Sequence, residues 1–537
     1  MNEMIQLLDC TLRDGAYING SAFGVPAIKG IIKNLQDAGA DIIECGWLKD
    51  DPHKEGSSYY HVPSDIEPYL IERKDDVTYV TMIDWDRYDV DGTLPVFDGK
   101  SIDAIRVVFP RGKHRQGIEV GKKIREKGYK VYFQAANTLA YTDDELCDLV
   151  AYMNEFKPVS LSVVDTFGAM YEEDVDRIVN ILCEKLDPAI KIGFHSHNNQ
   201  QLSFALTSHF VKKMTENNRA CVVDSSLCGM GRGAGNATTE LVVSYLNRHH
   251  NGGYDLDAVL DAIDKYMVEF QEKYKWGYST EFFIAGLYQC HVNNIDYLLK
   301  NHRTNAQDMR NIIESLQPEE RRKYDYDLLE TRYLENQSRL VDDEETLKQL
   351  ANDLNGKVLL LCPGKSLVEK KTEIDAFIAK EKPTVIGVNA VIQVYMYDYI
   401  FFVNQARYEY TREAYKATFD QTDKIVLSNI HKSGKIDNER VVSFNHVIKR
   451  GWKYFDNPAI CALRLMDRLG LKEVYFAGFD GFGHKYNESY ADPSLPSVNA
   501  EDEWDELNAE VKDMVRDFRL TARNVKELHF VTESEFE

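Results

Sequence analysis

Short β-branched apolar runs recur through the first 245 residues, each followed by a longer stretch that mixes apolar and charged positions. The runs are IQLLD, DIIECG, VTYVTMI, DAIRVVF, KVYFQAA, VSLSVVD, KIGFHSH and ACVVDSS, beginning near residues 5, 41, 77, 103, 130, 159, 191 and 220. Between them, segments such as VPAIKGIIKNLQDAGA and EEDVDRIVNILCEKL repeat apolar side chains at i, i+3, i+4 and i+7, the period of one helix face. Eight strand-then-helix units predict an α/β fold, a (β/α)8 TIM barrel over residues 1–255, with an open doubly wound sheet as the rival topology. In a barrel the chemistry gathers at the carboxyl ends of the strands, so the residues just after each run are the ones to read.

From about 255 to 350 the pattern becomes helical and highly charged, with LQPEERRKYDYDLLETRYLENQ its most polar part. Residues 256–350 are predicted to be a helical cap and connector. A second alternation begins at Lys357: KVLLLCPGKSL reads as a strand entering a glycine loop, PTVIGVNAV and YDYIFFVNQARY as further strands, and AICALRLMDRLGLKEVYFAGFD as a helix followed by a strand. This predicts a Rossmann-like parallel-sheet domain over residues 355–537.

Composition narrows the function classes. Acids outnumber Lys and Arg by 87 to 64, a net charge of -23, and no basic block stands out, which argues against nucleic acid or an anionic membrane as a partner. The nine cysteines have no CxxC pair and read as reduced, mostly buried thiols. The amino-terminal stretch MNEMIQLLDCTLRDG has an early acid and no apolar core of a leader, and no run of 18 apolar residues occurs, so a cytoplasmic location is expected.

Four segments carry candidate chemistry. His195 and His197 lie at i and i+2 at the end of the seventh run, so a strand would aim both imidazoles the same way, into the barrel mouth. That is a divalent-metal pair lacking a carboxylate, or ordinary polar packing. The missing carboxylate is available after the first run, where DCTLRDGAY places Asp14 beside Arg13, a fixed cation suited to an enolate oxygen. A helix-capping Asp with a surface Arg is the plainer alternative. After the eighth run, DSSLCGMGRGAGNATTE alternates small residues from Gly229 to Gly235 and then offers Asn236, whose carbonyl oxygen could face a metal or support its ligands. A phosphate cradle is the other reading of that loop, although the Lys-Ser/Thr of a P-loop is absent. After the sixth run, VVDTFGAMYEED brings Thr166, either a hydroxyl for a substrate carboxylate or a helix N-cap.

Those segments, in that order, resemble the metal-dependent pyruvate aldolases typified by 4-hydroxy-2-oxovalerate aldolase, within the superfamily that includes 3-hydroxy-3-methylglutaryl-CoA lyase and the isopropylmalate and homocitrate synthases. The similar stretches are TLRDGAY, IIECGW, DTFGAMY, GFHSHNNQQLSFA and GMGRGAGNATTE, with IAGLYQCHVNN resembling a helical region that closes over the site. The resemblance implies Asp14, His195 and His197 as metal ligands with Asn236 completing the sphere, and Arg13 as the enolate-stabilising arginine. It further implies Thr166 and Tyr288 as substrate contacts and Glu44 as support from beneath. A divalent ion follows, with Mn or Mg best suited and Co or Zn compatible, together with a small 2-oxo acid and an aldehyde as reactants and a homo-oligomeric assembly.

Two positions depart from the family. Tyr17 stands where the aldolases commonly have a catalytic histidine, and a tyrosine titrates near pH ~10. Arg232 stands near the place of the CoA lyases' catalytic cysteine, which disfavours thioester cleavage. The second half resembles bacterial sialyltransferases and related surface-glycan domains, which implies a nucleotide or nucleotide-sugar contacted by Gly364, Ser366, Asn389 and Asn404, with His446 as a candidate catalytic histidine. An inactive docking domain of the same fold is the alternative. The expected activity is aldol or retro-aldol chemistry on a 4-hydroxy-2-oxo acid. The rivals are an acyl-CoA Claisen synthase and a barrel that only scaffolds the second domain.

Overall fold

The computed structural model describes residues 4–302, 304–337, 341–430, 438–483, 486–496 and 504–537. It divides into two compact units, one formed by residues 1–296 and 316–324, the other by 297–315 and 325–537. The helical stretch 256–350 is thus shared between them. No helix among the described residues is long and apolar enough to cross a membrane.

In the first unit, strands β1 (Ile5–Asp9), β2 (Ile42–Leu48), β4 (Thr78–Asp84), β5 (Ala104–Phe109), β6 (Lys130–Ala135), β7 (Ser160–Asp165), β8 (Lys191–Ser196) and β9 (Cys221–Ser225) are all parallel, with the two-residue β3 (Tyr59–Tyr60) appended to β2. Strand β1 pairs with β9 through Ile5↔Cys221 and with β2 through Leu8↔Ile42, so the sheet closes into the eight-stranded barrel predicted by the repeat. Closure excludes the open-sheet rival.

Strand alternation builds the core in shells. Outward residues such as Ile43, Val107, Phe133 and Phe194 join helix residues, including Ile28, Ile31 and Leu35 of Val25–Asp37, in the main apolar core. Inward residues Leu8, Ile42, Val80, Ala104, Tyr132 and Val222 form a separate apolar plug at the barrel floor. Two positions further along the same strands, Glu44, Arg106 and Asp224 point inward as well, and the barrel axis changes there from apolar to charged.

The second unit is a seven-stranded parallel sheet of β10 (Val358–Leu361), β11 (Thr384–Val388), β12 (Tyr399–Phe402), β13 (Asp423–Leu427), β14 (Glu439–Val442), β15 (Glu473–Ala477) and β16 (Glu527–Phe530), in the order β14-β13-β12-β11-β10-β15-β16. The order reverses between β10 and β15, the crevice where open α/β sheets place ligands.

Candidate active site

Asp14 ends a four-residue helix that begins directly after β1, and His195 and His197 flank the last residue of β8. A carboxylate oxygen of Asp14 and one nitrogen from each histidine all lie within 4.8 Å of one another. The imidazole centroids are 5.1 Å apart and nearly perpendicular, with both rings on one strand face. The three residues are buried, at 1%, 4% and 8% exposure.

The surroundings fix each donor. His195 Nδ1 lies 3.1 Å from Asp224 Oδ2, which leaves Nε2 to face the cluster, the carboxylate–histidine arrangement that holds a ligating ring in one tautomer. Asp224 is in turn paired with Arg106, and Arg106 Nη1 lies 2.9 Å from Glu44 Oε2. The same Glu44 oxygen accepts from Arg13 Nε at 2.7 Å, while Arg13 Nη1 pairs with Asp14. A buried charge network of three carboxylates and two arginines therefore runs from β5 to the cluster. Burial acts to raise Asp14, but Arg13, His197 and His195 outweigh it and hold the carboxyl well below its ordinary range. Burial depresses His197 to about 4, opposed by Asp14, so its imidazole is neutral.

The donor set fits a divalent cation. His197 Nδ1 and Asn236 Oδ1 are buried without a hydrogen-bond partner among the described residues, and each carries a lone pair suited to a metal. Asn236 Nδ2 donates to Asp14 Oδ2 at 2.7 Å, so its amide is oriented by the same carboxylate. Gly231 must lack a side chain: a Cβ there would run into Asn236 Nδ2 and Asp14 Oδ2.

The remaining predicted residues are placed as follows. Thr166 follows β7, and its Oγ1 accepts the Asn137 amide N–H at 2.7 Å. Tyr17 is 43% exposed, packs edge-on to Trp47 at 6.0 Å between centroids, and has its hydroxyl driven well above the ordinary tyrosine range by desolvation, against the pull of Arg232 and Arg13. Glu44 lies below the cluster and holds arginines there. Tyr288 follows the helix Thr280–Leu287, with the Arg321 guanidinium 5.1 Å from its ring centroid. That helix crosses the loops after β7 and β8, since a Cβ on Gly286 would stand 3.1 Å from Gly168 O and 3.2 Å from the Asn199 Cβ.

Several residues of the site were not singled out in the sequence. Arg106 and Asp224 sit inside the runs DAIRVVF and ACVVDSS, where charges at inward register were the available signal. Asn199, one of the amides after the histidines, ties two loops together by donating from Nδ2 to Phe167 O (3.0 Å) and accepting the Ala234 N–H at Oδ1 (2.8 Å). His291 and Asn293 hold Arg232, a long-range pairing with no local signature.

In the second unit, Gly364 and Asn389 line a solvent-open cavity at the β10–β15 crevice, with Arg407, Asn457, Asp480 and Tyr490. Ser366 stands beside it, its Oγ on Asp480. Asn404 is placed differently: its side chain caps the helix Gln405–Ala414 by accepting the Arg407 N–H at 3.0 Å. His446 Nδ1 lies 2.8 Å from Asp343 Oδ2, and the histidine does not line this cavity.

Comparison with known proteins bears on the barrel's family. Residues 113–265 match the HMGL-like family. The chain is 27% identical over 263 residues to 4-hydroxy-2-oxovalerate aldolase of Thermomicrobium roseum, covering 48% of this chain and 71% of that one. It is 28% identical over 254 residues to 4-hydroxy-2-oxovalerate aldolase 2 of Salinispora arenicola, covering 46% and 70%. It is also 25% identical over 265 residues to oxaloacetate decarboxylase of Mycobacterium tuberculosis, covering 48% and 74%. The family match and these relatives together support a place for the barrel in the HMGL-like aldolase superfamily.

Proposed function

We propose that the barrel is a divalent-metal-dependent lyase that makes or cleaves the C3–C4 bond of a 4-hydroxy-2-oxo acid, with pyruvate and an aldehyde as the other side of the reaction. The observation that carries this reading is the buried convergence of Asp14, His195 and His197 beside Arg13, with buried, unpartnered acceptor atoms on His197 and Asn236. Its relatives named as a hydroxy-oxo-acid aldolase and an oxo-acid decarboxylase share the need to stabilise charge on a 2-oxo oxygen. A bound divalent ion, Mn or Mg by the fit of an Asp/His/His set to an oxo-acid chelate, would supply Lewis-acid polarisation of that oxygen.

The chain's own residues do the rest. Arg13 is immobilised by Glu44 and Asp14. It presents planar donors to the 2-oxo oxygen, where negative charge collects as the C3–C4 electron pair withdraws. Thr166 binds the C1 carboxylate. Tyr17 keeps its proton at neutral pH, which suits it to donating that proton to the C4 oxygen as the new bond forms; the phenolate left behind collects it in the reverse direction. A thioester reaction gains no nucleophile from the glycine loop, because burial pushes the Cys228 thiol up to about 12. A mere scaffold has no use for so much buried polarity with open lone pairs, which costs stability unless something binds it.

The test is pyruvate turnover with 4-hydroxy-2-oxo acids or simple aldehydes in added Mn, for wild type, Asp14→Ala and Tyr17→Phe. Both substitutions should lower kcat by about 10²-fold or more, and only Asp14→Ala should also lose bound metal. Equal turnover in wild type and Asp14→Ala would sink the reading.

The second unit's cavity is proposed as a nucleotide or nucleotide-sugar site, which would place the aldehyde in surface-glycan metabolism. Support comes from its position at the sheet's reversal and from a lining that joins aromatic faces to an arginine and two amides.

A further inference from the structure

Arg232 is the one arginine of the glycine loop after β9, and its environment is unusual for a charged side chain. It is half-buried. Its Nη2 donates to Asn293 Oδ1 at 2.7 Å and lies 3.1 Å from His291 Nε2, and its guanidinium carbon sits 4.9 Å from the centre of the Tyr17 ring. All three contacts are to uncharged groups. Among the described residues no carboxylate lies within 4.0 Å of the guanidinium; Asp14 meets only its backbone N–H, at 3.4 Å, and Asp84 feels its charge from further away. Burial and the Arg232 charge push His291 down to about 3, so the ring beside the guanidinium is neutral and not a competing cation. A rigid, partly desolvated cation held by neutral partners is an anion receptor with its electrostatic partner supplied from outside the chain.

Its location says which part of a substrate it reads. In the barrel β8 lies between β7 and β9, so Thr166 and Arg232 flank His195 and His197 from opposite sides. On the proposed aldolase reading, on which this inference rests, the C1 carboxylate lies toward Thr166 and the C4 oxygen toward Tyr17. The group attached to C4 then extends past the Tyr17 ring, which Arg232 covers. A second cation stands in the same quarter: Lys49 Nζ is 3.7 Å from the ring centre of Tyr59, and the Tyr59 hydroxyl in turn senses the charge of Arg232.

We propose that Arg232 is a specificity-determining residue that pairs with an anionic group, a phosphate or a carboxylate, on the aldehyde end of the substrate. Aldehydes bearing such a group are preferred over neutral ones of similar size, and Arg232 supplies the preference.

The experiment compares three aldehydes with pyruvate and Mn on the full chain: pentanal, succinic semialdehyde and glyceraldehyde 3-phosphate. Binding of each aldehyde is measured in parallel by calorimetry. The expected kcat/KM preference for the anionic aldehydes is about 10-fold or more in wild type, the scale of a charge-assisted hydrogen bond. It should fall below about 3-fold in Arg232→Gln and persist in Arg232→Lys, with all three proteins melting alike. The better of the two anions identifies the charged group. Equal use of neutral and anionic aldehydes, or a preference that survives Arg232→Gln, overturns the inference. If no aldehyde consumes pyruvate, the aldolase reading fails by itself, and the calorimetric arm still decides: charge-selective binding lost in Arg232→Gln upholds the receptor, and unselective binding removes it.

Discussion

Asp9 shows how one buried carboxyl can work against the fold it belongs to. It ends β1 on the strand's outer, helix-facing side and accepts the Thr11 N–H at 2.9 Å and the Thr239 hydroxyl at 2.7 Å, yet burial raises it to about 6 from an ordinary 3.8. A carboxyl with a raised folded pKa favours the folded state below the unfolded value, and that contribution is lost as pH climbs through the folded value. Ionising Asp9 in its buried position therefore costs stability progressively between about pH 4 and 6, approaching ~3 kcal/mol above that window. Asp9→Asn keeps an acceptor without the charge, so its denaturation midpoint should rise relative to wild type as pH moves from 4 to 7. A difference independent of pH would show that the carboxyl is not protonated in the fold. Asp14, five residues on, behaves oppositely because Arg13 pairs with it directly. Neighbouring sequence does not separate the two acids; their partners do.

At the level of the element, β8 aims the histidines. Phe194 faces out and stacks on Phe210 of the following helix at 5.1 Å, which forces His195 to face in, and the strand period carries His197 with it. Gly193 is the inward position below His195, and it presses against Ser162 of β7 so closely that a Cβ would collide with the serine hydroxyl. Gly193→Ala should therefore displace β8 and cost about 1–3 kcal/mol, the usual penalty of overpacking, along with a loss of metal affinity. Gly193→Ala combined with Ser162→Gly should recover a large part of both, read by denaturant unfolding and metal titration. A double variant no better than the single one would mean that β8 is held by something other than this contact. The direction of the two imidazoles was legible in GFHSH, since alternation alone decides it. The need for glycine at 193 was not, because Ser162 lies 31 residues away in sequence and becomes its neighbour only through the β7–β8 register Ser162↔Gly193.

Across the whole molecule, two parallel-sheet units each place their candidate site at the carboxyl ends of strands, one at a barrel mouth and one at a strand-order reversal. If the second cavity binds a nucleotide, cytidine monophosphate should titrate onto the full chain and Arg407→Ala, which removes the cation from its lining, should weaken it by about 10-fold. No heat and no protection of the second unit in hydrogen exchange would remove that ligand from consideration. The barrel was legible because each βα unit repeats a local period, and local periods survive in a linear sequence. The cluster was legible because Asp14, His195 and His197 each lie within a few residues of the carboxyl end of a strand run, and barrel geometry gathers those ends. The second site was only partly so: Gly364 and Asn389 reach the cavity, whereas Asn404 turns to cap its own helix, a local hydrogen bond that competes for the same side chain. By itself the sequence determined the repeat of strand and helix, the shared face of His195 and His197 and the residue types of the cluster, all of which depend on spacing between near neighbours. Only the tertiary structure decided how the charges pair: Glu44 with Arg13 and Arg106, Asp224 with His195, and Arg232 with His291 and Asn293. Those pairings join residues from different strands and loops, and electrostatic energy depends on distance in space, which no spacing along the chain encodes.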